Sequence, residues 1–197
     1  EETGVTLSDL NLGGGYGVRY TEEDEAINIP ARLAELAAYL KEETERLGLP
    51  MPRFLMEPGR SIVADAGMTL YTVGSVKRIP GYKQYAAVDG GMTDNPRYAL
   101  YQSRYTVYHA HKSGSMERFD VVGRCCESGD IIQPGVELPG DTCRGDILAV
   151  CTTGAYNYSM ASNYNRLPRP AVVMLTPDRI YEAVRRETFA DLTGLDL

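Results

Sequence analysis

The chain has 197 residues, of which 43% are hydrophobic and 24% charged, and its formal net charge is −7. This composition is typical of one ordinary globular domain or two small ones, and it excludes global disorder. The negative charge argues against a nucleic-acid partner, and no apolar run approaches the about 20 residues that span a bilayer.

The chain begins with a predicted strand and helix. Residues 9–12 are interpreted as the end of a strand, which three glycines follow directly. A helix is predicted over residues 31–47, with Pro30 in its first turn and Gly48 just beyond its end. The apolar stripe of this helix consists of Leu33, Leu36, Ala37, Leu40 and Leu47.

A second short strand is predicted at residues 54–56 and ends at Glu57. Together with the preceding strand and helix it gives the first 66 residues a β-α-β pattern. Ligands of such units collect at the carboxyl ends of the strands, where the glycines and Glu57 both fall.

After about residue 67 the sequence changes to short strands separated by Gly and Pro. Residues 68–79 carry Thr, Tyr, Val and Ile with little helical period, and Pro80-Gly81 marks a turn. This spacing predicts a β-sandwich or barrel. Residues 179–186 have apolar spacing that suits a helix. Further strands are predicted at 84–89, 102–110, 117–123, 130–132, 147–152 and 171–175, with a break at Pro134-Gly135.

The cysteines predict free thiols and no metal site. None of Cys125, Cys126, Cys143 and Cys151 forms a Cys-x-x-Cys pair. Adjacent cysteines cannot easily bridge each other, because a disulfide needs Cα atoms about 5.5 Å apart in a defined geometry. A reducing cytoplasm is the simplest compartment for this chain.

Gly13, Gly14 and Gly15 stand where backbone amides could hold a phosphate, directly after a strand. Glycine lets N–H groups approach an anion closely and tolerates positive φ. A tight strand-to-helix turn would use the same residues. The motif is not the dinucleotide fingerprint, because the G-x-G-x-x-G spacing is not met.

The segment Glu57-Pro58-Gly59-Arg60 places a carboxylate at a strand end and a guanidinium three residues later. The planar fork of arginine suits a bound carboxylate. The alternative is a surface ion pair, which contributes about 0–1 kcal/mol to stability.

Three later segments combine chemically useful residues with ordinary ones. Residues 94–101 contain Arg97 and Tyr101, which could contact a ligand. The alternative is an arginine at a strand edge and a tyrosine in the core. Cys126-Glu127-Ser128-Gly129-Asp130 presents a thiol in a turn, where an inert buried cysteine is the alternative. Gly154-Ala155-Tyr156 opens a polar, aromatic loop that alone would indicate an interface.

In this order and at these separations, the motifs resemble the C-terminal part of the diaminopimelate decarboxylases, a pyridoxal phosphate (PLP) enzyme family with an alanine-racemase-like barrel. The resemblance covers nearly all of residues 8–192. It implies an α/β + β fold. Residues 1–66 would be a remnant of a PLP-binding β/α (TIM-like) barrel, and residues 67–197 a C-terminal β-sandwich or Greek-key barrel domain. It also implies a strand at 179–186.

The resemblance further implies a PLP site, in which Glu57 pairs with the pyridine nitrogen and strengthens the ring as an electron sink. The implied cofactor-binding residues are Gly14, Gly15, Glu57, Gly59, Arg60 and Tyr156. Cys126 is implied as the catalytic proton donor, contributed by the partner subunit of a homodimer with shared active sites. The implied substrate contacts are Arg60, Arg97, Tyr101, Glu127 and Tyr156.

Two features of the family are absent from this sequence: the Schiff-base lysine and the histidine that stacks on the cofactor ring. None of Lys41, Lys77, Lys83 and Lys112 lies in a context that resembles the family's lysine motif. We therefore expect a fragment that is inactive alone, of an enzyme that converts meso-2,6-diaminopimelate to L-lysine in the cytoplasm.

Two other interpretations remain open. The first is a related PLP decarboxylase acting on arginine, ornithine or carboxynorspermidine, against which Arg97 and Glu127 count. The second is a non-catalytic β module that dimerises or binds a partner, which would fit the missing lysine.

Overall fold

The computed structural model describes residue 4 and residues 7–197. Two short strands, β1 (Asp9–Asn11) and β2 (Arg53–Leu55), lie side by side and parallel. The helix α1 (Ile29–Arg46) connects them. The predicted succession of strand, helix and strand is confirmed.

The sequence explains where α1 begins. The side chain of Asn28 accepts the backbone N–H of Ala31 at 3.1 Å, and Pro30 occupies the first turn. No residue of α1 is buried within the described part of the chain, because the leucine stripe is only partly covered. After β2, a single helical turn, α2 (Arg60–Val63), leads into the larger sheet.

Six strands form that sheet in the order β5-β8-β3-β4-β6-β7, in which β4 and β6 are parallel and the other neighbours antiparallel. The backbone N–H of Tyr105, just before β5, donates to Gln133 of β7 at 2.9 Å, so the two edges of the sheet approach each other. The result is a mixed, nearly closed barrel. The strands are β3 (Met68–Ile79), β4 (Lys83–Val88), β5 (Val107–His109), β6 (Met116–Val122), β7 (Ile131–Pro139) and β8 (Ile147–Cys151).

The hydrophobic core lies inside this barrel. The alternation of inward and outward residues is clearest in β8, where Leu148 and Val150 are fully buried and their neighbours are not. The largest buried apolar side chains are Phe119, Ile132, Leu138, Leu148, Val73, Val121 and Val150.

The predicted break at Pro134-Gly135 was wrong, since β7 runs through it. Gly135 has φ 68°, and its N–H donates to the Asp120 side chain at 2.8 Å. The pairing of β6 with β7 shifts register between Phe119 and Val121. Pro-Gly therefore forms an irregularity within a strand, because a tertiary hydrogen bond satisfies the backbone there.

The predicted strand at 102–110 was too long. The helix α3 (Arg97–Tyr101) precedes it, and Gln102 ends that helix with a left-handed backbone at φ 54°. Only Val107–His109 pair as a strand. Arg97 thus begins a helix and does not lie on a strand edge.

The C-terminal part contains an antiparallel pair, β9 (Val172–Leu175) and β10 (Ile180–Val184), followed by α4 (Phe189–Thr193). The strand that the family resemblance implied at 179–186 is confirmed, and the helical interpretation was wrong. Among the described residues, no helix combines the length and apolarity needed to cross a membrane.

Candidate active site

The glycine segment and Glu57 lie together at the ends of β1 and β2. The backbone N–H of Glu57 donates to the carbonyl of Gly13 at 2.8 Å. A Cβ on Gly14 would lie 2.2 Å from the Glu57 carbonyl oxygen, so only glycine fits this contact. Gly13 and Gly15 have φ of 68° and 90° and open space beside them. The segment therefore leaves backbone groups accessible to a ligand.

Asn11 links the two parts of this corner. Its side-chain oxygen accepts the N–H of Gly13 at 2.8 Å, and its Nδ2 donates to Glu57 Oε1 at 2.7 Å. One carboxylate oxygen of Glu57 is thereby held in place, and the other remains available to a positively charged or protonated group.

Arg60, the first residue of α2, lies between two aromatic rings. Its guanidinium carbon is 5.8 Å from the ring centre of Tyr20 and 5.4 Å from that of Tyr156. A Cβ built on Gly59 would lie 3.6 Å from the Tyr156 hydroxyl. The predicted residues Gly59, Arg60 and Tyr156 are therefore neighbours.

Arg97 approaches the same tyrosine. Its guanidinium carbon lies 5.3 Å from the Tyr156 ring centre and 5.4 Å from that of Tyr101. Rings and guanidiniums thus alternate in the order Tyr20, Arg60, Tyr156, Arg97 and Tyr101, which we name the cation–aromatic row. Each such contact is attractive because the face of an aromatic ring is electronegative.

The row carries two positive charges, and no acidic side chain in the described part of the chain pairs with them. Neither Arg60 nor Arg97 forms an ion pair with an acidic side chain of residues 4 and 7–197. Arg97 is only 7% exposed, and its Nη2 donates to Ser103 Oγ at 3.1 Å. The Nε atoms of both arginines are buried without a partner in this part of the chain. Such an arrangement suits an anionic ligand.

A close backbone contact brings α2 against Tyr156. The N–H of Gly154 donates to the carbonyl of Ala64 at 2.9 Å, and a Cβ on Gly154 would lie only 1.8 Å from the Val63 carbonyl oxygen. A Cβ on Gly67 would lie 2.5 Å from the Cα of Gly154. Tyr156 itself has φ 68°, a left-handed conformation that is unfavourable for a non-glycine residue.

Cys126 and Glu127 contact a different segment. The Cys126 N–H donates to Asn165 Oδ1 at 2.7 Å, and the Tyr164 hydroxyl donates to Glu127 Oε2 at 3.4 Å. Cys126 is exposed, whereas Cys125 is half-buried, and burial together with the negative charge of Asp130 raises the pKa of the Cys125 thiol to about 11. The structure therefore joins the other predicted site residues, but not these two, into one group.

Three residues of this region escaped the sequence interpretation. Asn11 orients Glu57, and Tyr20 completes the cation–aromatic row. The buried carboxylate of Asp130 accepts the N–H groups of Met92 at 2.6 Å and Cys125 at 2.7 Å. Asp130 is the last residue of the motif that begins at Cys126, so the sequence does draw attention to it. No local pattern distinguishes Tyr20 from the other tyrosines, of which the chain has 14 in all.

The lysines make their contacts elsewhere. Lys83 pairs with Asp120 at 2.6 Å and Lys112 with Asp146 at 2.8 Å, both in the β-barrel. Lys41 and Lys77 are exposed, on α1 and β3 respectively.

Comparison with known proteins matches residues 19–154 to the family described as pyridoxal-dependent decarboxylase, C-terminal sheet domain. Diaminopimelate decarboxylase of Bacillus subtilis is 50% identical over 190 residues, which are 95% of this chain and 43% of that protein. The chain thus spans less than half the length of this relative.

Solved structures give the same result. The crystal structure of diaminopimelate decarboxylase from M. jannaschii in complex with L-lysine matches with TM-score 0.91 and 34% identity, over 100% of this chain and 44% of that one. Lysine/ornithine decarboxylase of Vibrio vulnificus, complexed with cadaverine, matches less well, with TM-score 0.71, 27% identity and 84% of this chain, which is 43% of that one. The chain therefore belongs to the pyridoxal-dependent decarboxylase family and contains its C-terminal sheet domain.

Proposed function

We propose that this chain is the C-terminal part of a PLP-dependent decarboxylase that converts meso-2,6-diaminopimelate to L-lysine. The observation that carries the proposal is the pair of arginines in the cation–aromatic row, which are unpaired among the described residues. A substrate with a carboxylate at each end can supply the missing negative charge. The similarity over nearly the whole chain to diaminopimelate decarboxylases supports the same substrate.

We assign residues 1–66 to the end of a β/α barrel and residues 67–197 to the β domain. Parallel β1 and β2 with α1 between them are the repeating unit of such a barrel. The remaining strands would come from the rest of the protein. The corner formed by Gly13, Gly14, Gly15 and Glu57 then lies at the carboxyl ends of the strands, where barrels of this type bind their ligands.

The residues present fit PLP. The open glycine segment can offer the N–H groups of Gly14 and Gly15 to a phosphate, since the Gly13 N–H is already bonded to Asn11. Glu57, oriented by Asn11, would hold a proton on the pyridine nitrogen. When bound, PLP supplies the electron sink that decarboxylation requires. The Tyr156 hydroxyl lies beside Gly59, two residues after Glu57.

The arginines would orient the substrate. Arg60 and Arg97 offer planar forks to carboxylates, and Tyr101 stacks on Arg97 and can donate a hydrogen bond beside it. Arg97 is buried, whereas Tyr101 and Tyr156 are exposed, so this end of the row is accessible to a substrate. Tyr156, between both guanidiniums, keeps them separated and would contact substrate and cofactor.

We further propose a cytoplasmic homodimer in which Cys126 serves the neighbouring subunit. Cys126 is exposed and lies on a loop separate from the row, which fits a group that is donated to a second site. Its thiol would hold the proton that replaces CO₂ on the substrate carbon, and Glu127 would bind the ammonium group at the far end. Thiols of this kind persist in a reducing compartment.

An activity assay on the intact protein tests this function. We expect meso-2,6-diaminopimelate to be decarboxylated to L-lysine, measured by chromatography, in preference to ornithine and arginine. Cys126→Ala should lower kcat by about 10²–10⁴-fold, because general acid catalysis contributes about that factor. Cys143→Ala, which removes another exposed thiol, should leave kcat unchanged. A preference for ornithine would refute the proposed substrate.

The chain alone should bind no PLP covalently, because its lysines lie outside the proposed site. Borohydride reduction of the chain mixed with PLP should therefore label no single lysine, as judged by peptide mass spectrometry. Specific labelling of one lysine would contradict the expectation that the Schiff-base lysine belongs to another part of the protein.

A further inference from the structure

Tyr20 ends the cation–aromatic row, and the described structure fixes it firmly although it belongs to the loop between β1 and α1. Its carbonyl accepts the N–H of Thr106 at 3.2 Å and the Thr106 hydroxyl at 2.9 Å. Its N–H donates to Asp24 at 3.0 Å. The loop is thereby attached to the β-barrel at this residue.

The ring of Tyr20 is fixed as well. It meets the ring of Tyr105 edge to face, with centres 5.3 Å apart at 90°. Tyr105 is itself buried, and its hydroxyl donates to Asn157 at 3.3 Å. The face of Tyr20 that Arg60 contacts therefore has a position set by the barrel core.

The hydroxyl of Tyr20 does not help to fix the ring through a hydrogen bond within the described part of the chain. Its oxygen is buried and has no hydrogen-bond partner within the described part of the chain. The aromatic face is therefore the part of Tyr20 that touches the proposed substrate-binding machinery.

The guanidinium of Arg60 depends on neighbouring aromatic rings for its orientation. Its Nε lacks a partner and it has no ion pair among the described residues, so no polar contact there fixes the direction of the guanidinium. The rings of Tyr20 and Tyr156 restrict it from two sides. A long, flexible side chain that is fixed before binding loses less conformational freedom when the ligand arrives.

We propose that Tyr20 is a positioning residue for carboxylate recognition, acting through Arg60 by the face of its ring and not by its hydroxyl. The inference rests on the proposed function, since it assumes that Arg60 binds a substrate carboxylate. It adds a residue that acts through Arg60 and that lies in none of the sequence motifs.

The test compares Tyr20→Phe and Tyr20→Met in the intact PLP-loaded enzyme. Phenylalanine keeps the ring, whereas methionine keeps much of the volume and removes the ring face. We expect Tyr20→Met to raise KM for meso-2,6-diaminopimelate about tenfold, as a lost cation–aromatic contact predicts. Its kcat should stay within about twofold, and Tyr20→Phe should restore the wild-type KM within about twofold. Tyr82→Met, at an exposed tyrosine outside the row, is the matched control.

A double-mutant cycle with Arg60→Lys separates positioning from a general structural role. If Tyr20 acts through Arg60, Tyr20→Met should add little to the KM of the Arg60→Lys enzyme. Titration with L-lysine by calorimetry gives a second measure of the same effect. Should Tyr20→Met fail to fold, Tyr20→Leu takes its place in the cycle.

The outcomes are distinct. An unchanged KM in Tyr20→Met, an equal loss in Tyr20→Phe, or additive effects with Arg60→Lys would overturn the inference while leaving the proposed function intact. A wild-type enzyme that decarboxylates no diaminopimelate would refute the proposed function, and the inference with it.

Discussion

At the scale of single residues, the backbone contact between Gly154 and α2 determines whether Arg60 reaches Tyr156. Gly154→Ala would place a Cβ 1.8 Å from the Val63 carbonyl oxygen, and both groups belong to the backbone and cannot rotate away. We expect a loss of about 1–3 kcal/mol in the free energy of unfolding, the usual cost of overpacking. Urea unfolding measures it.

The matched control is Gly129→Ala. The added methyl group at that glycine would meet no atom within 4 Å, and its backbone does not have positive φ. We expect this variant to unfold at nearly the wild-type urea concentration. Equal midpoints for the two alanine variants would show that the Gly154 contact relaxes without cost.

Most residues of the candidate site, but not all, could be predicted from the sequence. Glu57, Arg60, Arg97 and Tyr156 were predicted because each belongs to a motif, and the structure brings them together. Tyr20 could not be predicted, because its contact with Arg60 joins segments that are distant in sequence. A contact of that kind depends on how the loop attaches to the barrel.

At the scale of elements, Glu187 joins the segment after β10 to the segment before β9. Its carboxylate accepts the N–H of Arg169 at 2.8 Å, Arg169 Nε at 2.7 Å and Asn163 Nδ2 at 2.7 Å. These hydrogen bonds, led by that of the Arg169 side chain, lower the pKa of Glu187 from 4.5 to about 2. The antiparallel pair is thereby connected at its base.

This lowered pKa predicts a pH dependence of stability. The contribution of Glu187 is complete above its unfolded pKa of 4.5 and is lost as the pH falls towards about 2. We expect Glu187→Gln to be less stable than wild type at pH 6–7 by a constant amount. The difference should shrink below about pH 4.5. Urea unfolding across this range measures it.

Glu42→Gln provides the control, because Glu42 is exposed on α1. Its stability relative to wild type should change little across the same pH range. A Glu187→Gln deficit that stays constant down to pH 3 would contradict the assigned role of the carboxylate.

Elements were predictable where one local signal acted alone. The bounds of β3 follow directly from its composition and the Pro-Gly turn after it. The extent of β7 did not follow, because the hydrogen bond from Gly135 to Asp120 replaces the turn that Pro-Gly favours elsewhere. Gln102 likewise ends α3 in a left-handed conformation, which the presence of a glutamine at this position does not predict.

At the scale of the whole molecule, a homodimer with shared active sites can be tested by mixing inactive variants. One variant, Cys126→Ala, would lack the donated thiol, and the other, Arg97→Ala, would lack the carboxylate contact. Subunit exchange should restore about one quarter of wild-type activity, because half of the dimers are mixed and each has one intact site.

Each variant alone should stay inactive after the same treatment. Mixing Cys126→Ala with Cys126→Ser is the control, since no combination of these subunits supplies a thiol. Absence of recovery, with subunit exchange verified by mass spectrometry, would place Cys126 and Arg97 in the same subunit's site.

The left-handed backbone of Tyr156 has a consequence for engineering. A residue with a Cβ loses about 1–2 kcal/mol in this conformation, whereas glycine adopts it freely. Glycine at this position would relieve the strain and at the same time delete the ring between two guanidiniums. The relief of backbone strain and the loss of two attractive guanidinium contacts are of similar size, so the left-handed conformation can persist at Tyr156 without a net cost to stability.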